Sequence, residues 1–373
     1  MTLSILWFIL IAVLWTMYLV LEGFDYGVGM LQGFLAREDR ERTQALRTIG
    51  PHWDGNEVWL LTAGGATFAA FPEWYATMFS GMYLALFLIL LALIVRVCAI
   101  EWRSKLKSEQ WRSVWDRVHA VSALIVPLLF GVAFANLVQG MKIEVVTHGT
   151  NAVVAPADVP SSLNTAVHQL TGGFFSLLTP YTLLGGLVLV ALCLAHGAQF
   201  LALKTEGDLK ERANGFAAPA TVVATALAAV WVIWGQFAYS TNVLAWIPLL
   251  IAALCLIAST VFSQAVLRNE GLSFLFSCLA MAGAVAWIFA AMAPNVMKSS
   301  IDPAYSLTIA QASSTTGTLT VMSIVALCLV PVVLVYTAWS YWKFRSRVSS
   351  SDVSTNTGLI LNKIRLDQNF LAG

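Results

Sequence analysis

Long apolar runs separated by short polar connections dominate this chain. They fall near 5–34, 56–72, 76–96, 118–139, 174–203, 217–238, 243–267, 272–293 and 318–343. Most approach the roughly 20 residues that a helix needs to cross a hydrocarbon core of about 30 Å. The second is short for a full crossing, and the first and fifth are long enough to project beyond the core. The pattern predicts an all-α integral membrane protein of about nine transmembrane helices, grouped as two four-helix bundles plus one peripheral helix. One transmembrane domain is expected over 1–347. A disordered tail is expected over 348–373, which is rich in Ser, Thr and Asn and lacks helical periodicity. The loop 140–173 is the one long connection on its side and is expected to form a cap.

Composition agrees: 58% of residues are hydrophobic and 11% charged, far from the balance of a soluble globular chain. The net charge of +1 offers no field for nucleic acid. Of the 21 Lys and Arg residues, all but Lys142 and Lys298 lie on one side of the expected topology. By the positive-inside rule the N-terminus then lies outside and the C-terminus in the cytoplasm. No basic residue precedes Arg37 and no small-residue cleavage site follows the first run, so that segment is expected to stay as a helix. Cys98, Cys193, Cys255, Cys278 and Cys328 all sit in apolar runs without a Cys-x-x-Cys pair, and are expected to be buried thiols.

Charge inside these runs carries the functional signal. The first holds Glu22-Gly23-Phe24-Asp25-Tyr26-Gly27-Val28-Gly29. A carboxylate at bilayer depth costs about 2.5–3.5 kcal/mol on insertion scales, so such acids face a bundle interior and mark ion or proton routes. Glu22, Asp25 and Gly29 share one helix face. The spacings Gly23/Gly27 and Gly29/Gly33 invite close approach of a second helix. Asp54 and Glu57 open the second helix, and Glu101 follows the third near Arg96. Five acids thus converge on the expected cytoplasmic side as candidate proton carriers: Asp54, Asp25, Glu101, Glu57 and Glu22. They could instead be structural ion pairs with Arg47, Arg96 and Arg103.

Trp53, Asp54, Asn56, Glu57 and Trp59 lie within seven residues, which helix capping alone does not explain. Together with Gly23 to Gly29 this motif resembles subunit II of the cytochrome bd-type quinol oxidases. The likeness continues through Trp74-Tyr75-Ala76, Glu101-Trp102-Arg103-Ser104-Lys105, Gly131-Val132-Ala133-Phe134-Ala135-Asn136-Leu137, Ser306-Leu307-Thr308 and Tyr336-Thr337-Ala338-Trp339-Ser340-Tyr341-Trp342-Lys343. The resemblance implies a multi-pass protein of the bacterial cell membrane. Its partner, subunit I, would hold the quinol site, two b-type haems and one d-type haem, and small accessory subunits could join. Such a complex reduces dioxygen to water with quinol electrons and builds a proton motive force without pumping. Subunit II stabilises the haem subunit and, in some members, contributes to proton or oxygen access or carries a bound quinone. Asp54 matches the family's aspartate implicated in proton delivery, and Asp25 the acid of the Gly-Phe-Asp motif. Some members have glutamine at Glu57 and aspartate at Glu101.

Haem ligation by this chain is not expected. His52, His119, His148, His168 and His196 offer no axial pair at a common depth, and His196 reads as a hydrogen-bonded interior residue. No metal site is expected either. Trp53, Trp74, Trp102 and Trp246 read as interfacial anchors. Two rival readings are a proton-coupled secondary transporter, disfavoured by the lack of a recognisable inverted repeat, and a purely structural scaffold.

Overall fold

Apolar runs fold as helices because, without water, each segment must satisfy its own amides. The computed structural model describes residues 3–160, 165–354 and 357–359. Its helices are α1 (Leu3–Leu35), α2 (Asp39–Ile49), α3 (Trp53–Ala70), α4 (Pro72–Gly81), α5 (Tyr83–Trp102), α6 (Glu109–Gln139), α7 (Pro180–Lys204), α8 (Asp208–Ala238), α9 (Trp246–Ser263), α10 (Glu270–Met292), α11 (Ile309–Ala312) and α12 (Thr316–Lys343). Eight of the described helices, α1, α5 to α10 and α12, are long and apolar enough to cross a membrane.

The expected second crossing, α3, is not among the eight, because Asp54, Asn56 and Glu57 crowd its first turns. It still runs antiparallel along α1. Near one end the Asn56 amide donates to the Leu21 carbonyl at 3.1 Å. At the other end Ser314 N donates to the Ala70 carbonyl at 2.8 Å, beside Ser313, whose hydroxyl meets that of Ser4. The expected third helix is divided, since Pro72 opens α4 and the chain turns at Met82 before α5. The charged helix α2, started by a Glu38/Glu41 capping box, falls between apolar runs and was not anticipated.

Helix α1 is the hub, packed by α3, α6, α7 and α10 and touched by α12. Glycine makes this possible. A Cβ on Gly27 would lie 2.6 Å from the Gly197 Cα on α7, and one on Gly131 of α6 would lie 2.7 Å from the Gly186 Cα on α7. Backbones thus touch where side chains would hold them apart. Gly33, expected at such a contact, meets nothing within 4 Å. Helix α12 is nearly all exposed, with Leu319 its one buried residue, and Cys328 on it is exposed rather than buried. Trp74, expected at an interface, is buried in the core against Phe8, Phe71 and Phe289.

The two ends differ. At one, β1 (Ile143–Thr147) pairs antiparallel with β2 (Ala166–Leu170), and β3 (Asn295–Met297) with β4 (Leu307–Thr308). The polar loop over 140–173 therefore contains strands, a small exception to the all-α expectation. At the other end lie the ion pairs of Arg103, Arg112, Arg212 and Lys210 with Asp39, Asp116, Glu41 and Glu270. Here the expected disordered tail is tied down over its described part. Val348 exchanges backbone bonds with Lys204 and Glu206, Arg47 holds the Asp352 carbonyl at 2.7 Å, and Leu359 pairs with Lys105 and Lys107. The remainder of that tail, 355–356 and 360–373, lies outside the described residues.

The glycine crossing gives a test. Gly27→Ala overpacks the α1–α7 contact and should destabilise by about 1–3 kcal/mol, read as a lower thermal midpoint of the purified protein. Gly33→Ala, with open space around it, should leave that midpoint unchanged; equal effects would contradict the packing account.

Candidate functional site

Inside the bundle, on the stripe of α1 that carries Tyr18, Glu22 and Asp25, the chain buries a set of ionisable side chains completely. Arg96 reaches this stripe from α5. It pairs with Glu22 and, at 2.8 Å, with Glu57 from α3. Its guanidinium carbon also lies 4.6 Å from the centre of the Tyr26 ring, and the Tyr26 and Tyr18 hydroxyls are hydrogen-bonded to each other. One cation thus serves two carboxylates and an aromatic face. Arginine suits this because its planar head presents five donors.

Asp25 is held differently. Asn56 donates one amide hydrogen to Asp25 Oδ2 at 2.8 Å and the other to the Leu21 carbonyl, while its own oxygen accepts from the Tyr341 hydroxyl at 2.9 Å. These three bonds use both donors and one acceptor site of the amide and fix its orientation. His52 stacks on Tyr341 at 4.1 Å between ring centres. Burial, followed by the Lys204 charge, pushes His52 down to about 4, so it is neutral at pH 7. The other Asp25 oxygen has no hydrogen-bond partner among the described residues.

The candidate residues therefore divide. Glu22, Asp25, Asn56, Glu57 and Arg96 come together, with Trp59 buried near them and Gly23, Gly27 and Gly29 admitting the neighbouring helices. Asp54 does not join them: it is exposed one turn before Glu57, on a face of α3 shared with Val58, Leu61 and Phe68, and its charge bears on Glu57. Trp53 beside it is half-buried. Glu101 is exposed, without a hydrogen bond or ion pair among the described residues. Arg103 serves Asp116 and Asp39 rather than any of the five acids. Tyr18 and Tyr341 were missed. Tyr18 was findable, four residues before Glu22 on the same stripe; Tyr341, 285 residues from Asn56, was not.

The fold and this cluster define a multi-pass helical membrane protein that keeps ionisable groups inside its bundle. The chain belongs to the cytochrome bd terminal oxidase subunit II family, whose sequence model matches residues 3–344. It is 38% identical over 389 aligned residues to the cytochrome bd-I ubiquinol oxidase subunit 2 of Escherichia coli K12, covering 95% of this chain and 97% of that protein. It is 40% identical over 356 residues to the cytochrome bd ubiquinol oxidase subunit 2 of Bacillus subtilis, covering 94% and 98%. In three dimensions it resembles a chain of the bd oxidase from Geobacillus thermodenitrificans, with a TM-score of 0.69 at 14% identity, over 92% of this chain and 98% of that one.

Do the residues here fit a haem? Of the five histidines, His196 is bonded to Ser277 and the Val20 carbonyl, His119 to Gln32, and His52 stacks on Tyr341. His168 lies beside Glu73, and His148 is exposed in the loop. They do not pair across a common cavity as axial ligands would.

Arg96 gives the sharpest test of the cluster. Arg96→Gln strands buried carboxylates and should cost about 3–5 kcal/mol, seen as loss of folded protein. Adding Glu22→Gln to that variant should recover much of the loss; no recovery would show that Arg96 matters for packing alone.

Proposed function

We propose that this chain is the haem-free subunit of a quinol:oxygen oxidoreductase, steadying the haem-bearing subunit I and conducting protons towards it from the cytoplasm. Family membership supports the oxidase complex. The relatives' names as ubiquinol oxidase subunits support quinol as its electron donor. In this reading two b-type haems and one d-type haem reside in subunit I, where they supply electron transfer and oxygen reduction. A bound quinone and small accessory subunits are compatible with it. The membrane is the bacterial cell membrane, crossed nine times when α3 is included. α1, α3, α5 and α6 then form one group and α7 to α10 a second, with α12 outside both. The Arg-rich end faces the cytoplasm and the N-terminus lies outside.

One observation carries the proton role. Glu22 and Glu57 share a single buried cation, Arg96, and Asp25, one turn from Glu22, has no cation of its own among the described residues. Were all four ionised, the cluster would hold two uncompensated negative charges in a low-dielectric interior, at a cost of several kcal/mol per unpaired ion. Carrying protons is how such a set stays near neutrality, and a group that carries protons can also pass them on. Asp54 stands at the exposed edge of the cluster, one turn from Glu57. The proposed order is Asp54, Glu57 with Glu22, then Asp25, with Glu101 as a surface acid that gathers protons. The ion pairs of Arg96 would serve a scaffold too, and turnover separates the two roles.

Asp54→Asn keeps the shape of the side chain but cannot exchange a proton. Quinol-driven oxygen consumption by the purified complex should fall by about tenfold or more, with the haem absorption spectrum intact. Undiminished turnover with normal haem content would remove Asp54 from the route. Loss of haem together with activity would make this chain a scaffold. A colourless protein that moves a solute in liposomes would instead mark a transporter.

A further inference from the structure

The stripe of α1 that carries Glu22 and Asp25 does not end there. Its next members are Gly29 and Gln32, each about one turn further towards the Arg-rich end. Gln32 is fully buried, and so is His119 of α6, which stands across from it. The Gln32 amide donates to His119 Nδ1 at 2.9 Å, and because that nitrogen accepts, the ring hydrogen sits on Nε2. Nε2 has no partner among the described residues, nor has the Gln32 side-chain oxygen. Gly29 makes room for the ring: a Cβ there would lie 2.8 Å from Nε2. An unmet donor and an unmet acceptor, both fully enclosed between two helices, are the partners that an internal water requires.

The position of His119 gives such water a purpose. Its ring meets α1 at Gly29, one turn beyond Asp25. Arg96 belongs to the buried acid cluster. Arg103 belongs to the surface network, bonded to Asp116 at 2.5 Å and to Asp39 at 2.6 Å. Asp116 lies one turn before His119 on α6, and Asp39 lines a cleft of about 610 Å³ at the Arg-rich end, with Arg42, Ser108 and Glu109. Polar side chains therefore lead from that cleft through Asp39, Arg103 and Asp116 towards His119 and Gln32, and Asp25 lies two turns before Gln32 on the same stripe of α1. Asp54 takes no part in this line, because it approaches the cluster from α3 on another side.

We propose that His119 and Gln32 hold bound water that gives the buried acids a second hydrated access, between α1 and α6, independent of Asp54. His119 Nε2–H donates to a water oxygen, and the Gln32 oxygen accepts a water hydrogen. A proton reaching this water from the Asp116 side is matched by release of another towards Asp25. The imidazole keeps its own hydrogen throughout, so it orients the water and carries no proton itself. This inference rests on the proton-conducting role proposed above, and adds a parallel route to it.

Parallel routes predict synergy. Proton uptake should be followed as the reduced, purified complex reacts with oxygen, in His119→Phe, Asp54→Asn and the double variant, with haem content as the control for assembly. His119→Phe alone should slow uptake by less than about threefold, because Asp54 still conducts. The double variant should fall about tenfold below the product of the single effects. A double variant no slower than Asp54→Asn overturns the second access and leaves the Asp54 route standing. Unchanged uptake in all three overturns both. Unchanged uptake in Asp54→Asn with a large loss in His119→Phe removes Asp54 but supports the access through His119. If His119→Phe fails to assemble, Gln32→Leu and a map of the wild-type complex that shows ordered water decide. Density for water on His119 Nε2 supports the proposal, and a dry contact overturns it.

Discussion

Arg96 is the interaction on which the interior depends. A guanidinium with no exposure to solvent must find acceptors within the protein, and it finds Glu22 on α1, Glu57 on α3 and the face of Tyr26. Three helices are fixed in depth and rotation by one side chain, because displacing any of them would leave an ion without compensation. The glycine crossing of α1 with α7 holds the opposite side of the hub by close packing rather than by charge. Between charge on one side and backbone contact on the other, α1 has little freedom to rotate, and the polar stripe from Tyr18 to Gln32 keeps its heading.

That stripe links energetics to the proposed function. Glu22 shares a single cation with Glu57, and Asp25 on the same helix face has none among the described residues, so the site is short of positive charge by construction. A structure selected only for stability could replace the set with apolar residues of similar volume at little cost or some gain. Keeping the polar groups buried and compact is more simply read as keeping them exchangeable. Asn56 illustrates the constraint: both its amide hydrogens go to Asp25 and Leu21 and its oxygen accepts from Tyr341, which positions the aspartate while leaving one carboxylate oxygen open.

Much of this could be read from the chain. Helix existence followed from the length of the apolar runs. The acid stripe of α1 followed from its spacing, and the motif from Trp53 to Trp59 pointed to the family. What stayed hidden depends on tertiary contact. Nothing near Arg96 in the chain says that it turns towards Glu22 rather than Glu101, and nothing near Tyr341 announces Asn56. Helix α3 was read as a crossing, though a short one, because its apolar second half outweighs the polar first half that Asp54, Asn56 and Glu57 make. The tail from 348 looked loose because its composition is polar, yet among its described residues the Val348, Asp352 and Leu359 carbonyls are held by backbone and arginine groups from elsewhere. Strands in the loop over 140–173 were overlooked because five-residue pairs leave little periodic trace among so many longer apolar runs.

The central claim is that the buried carboxyls balance their charge with protons and exchange them during turnover. Infrared difference spectroscopy of the whole complex, recorded between its reduced and oxygen-reacted states, addresses this directly. The account predicts a protonated carboxyl band that changes between the states, shifts in heavy water, and loses intensity in Asp25→Asn with haem content retained. A spectrum with no protonated carboxyl signal assignable to this chain would contradict it, and would leave Arg96 as the centre of a purely structural salt-bridge cluster.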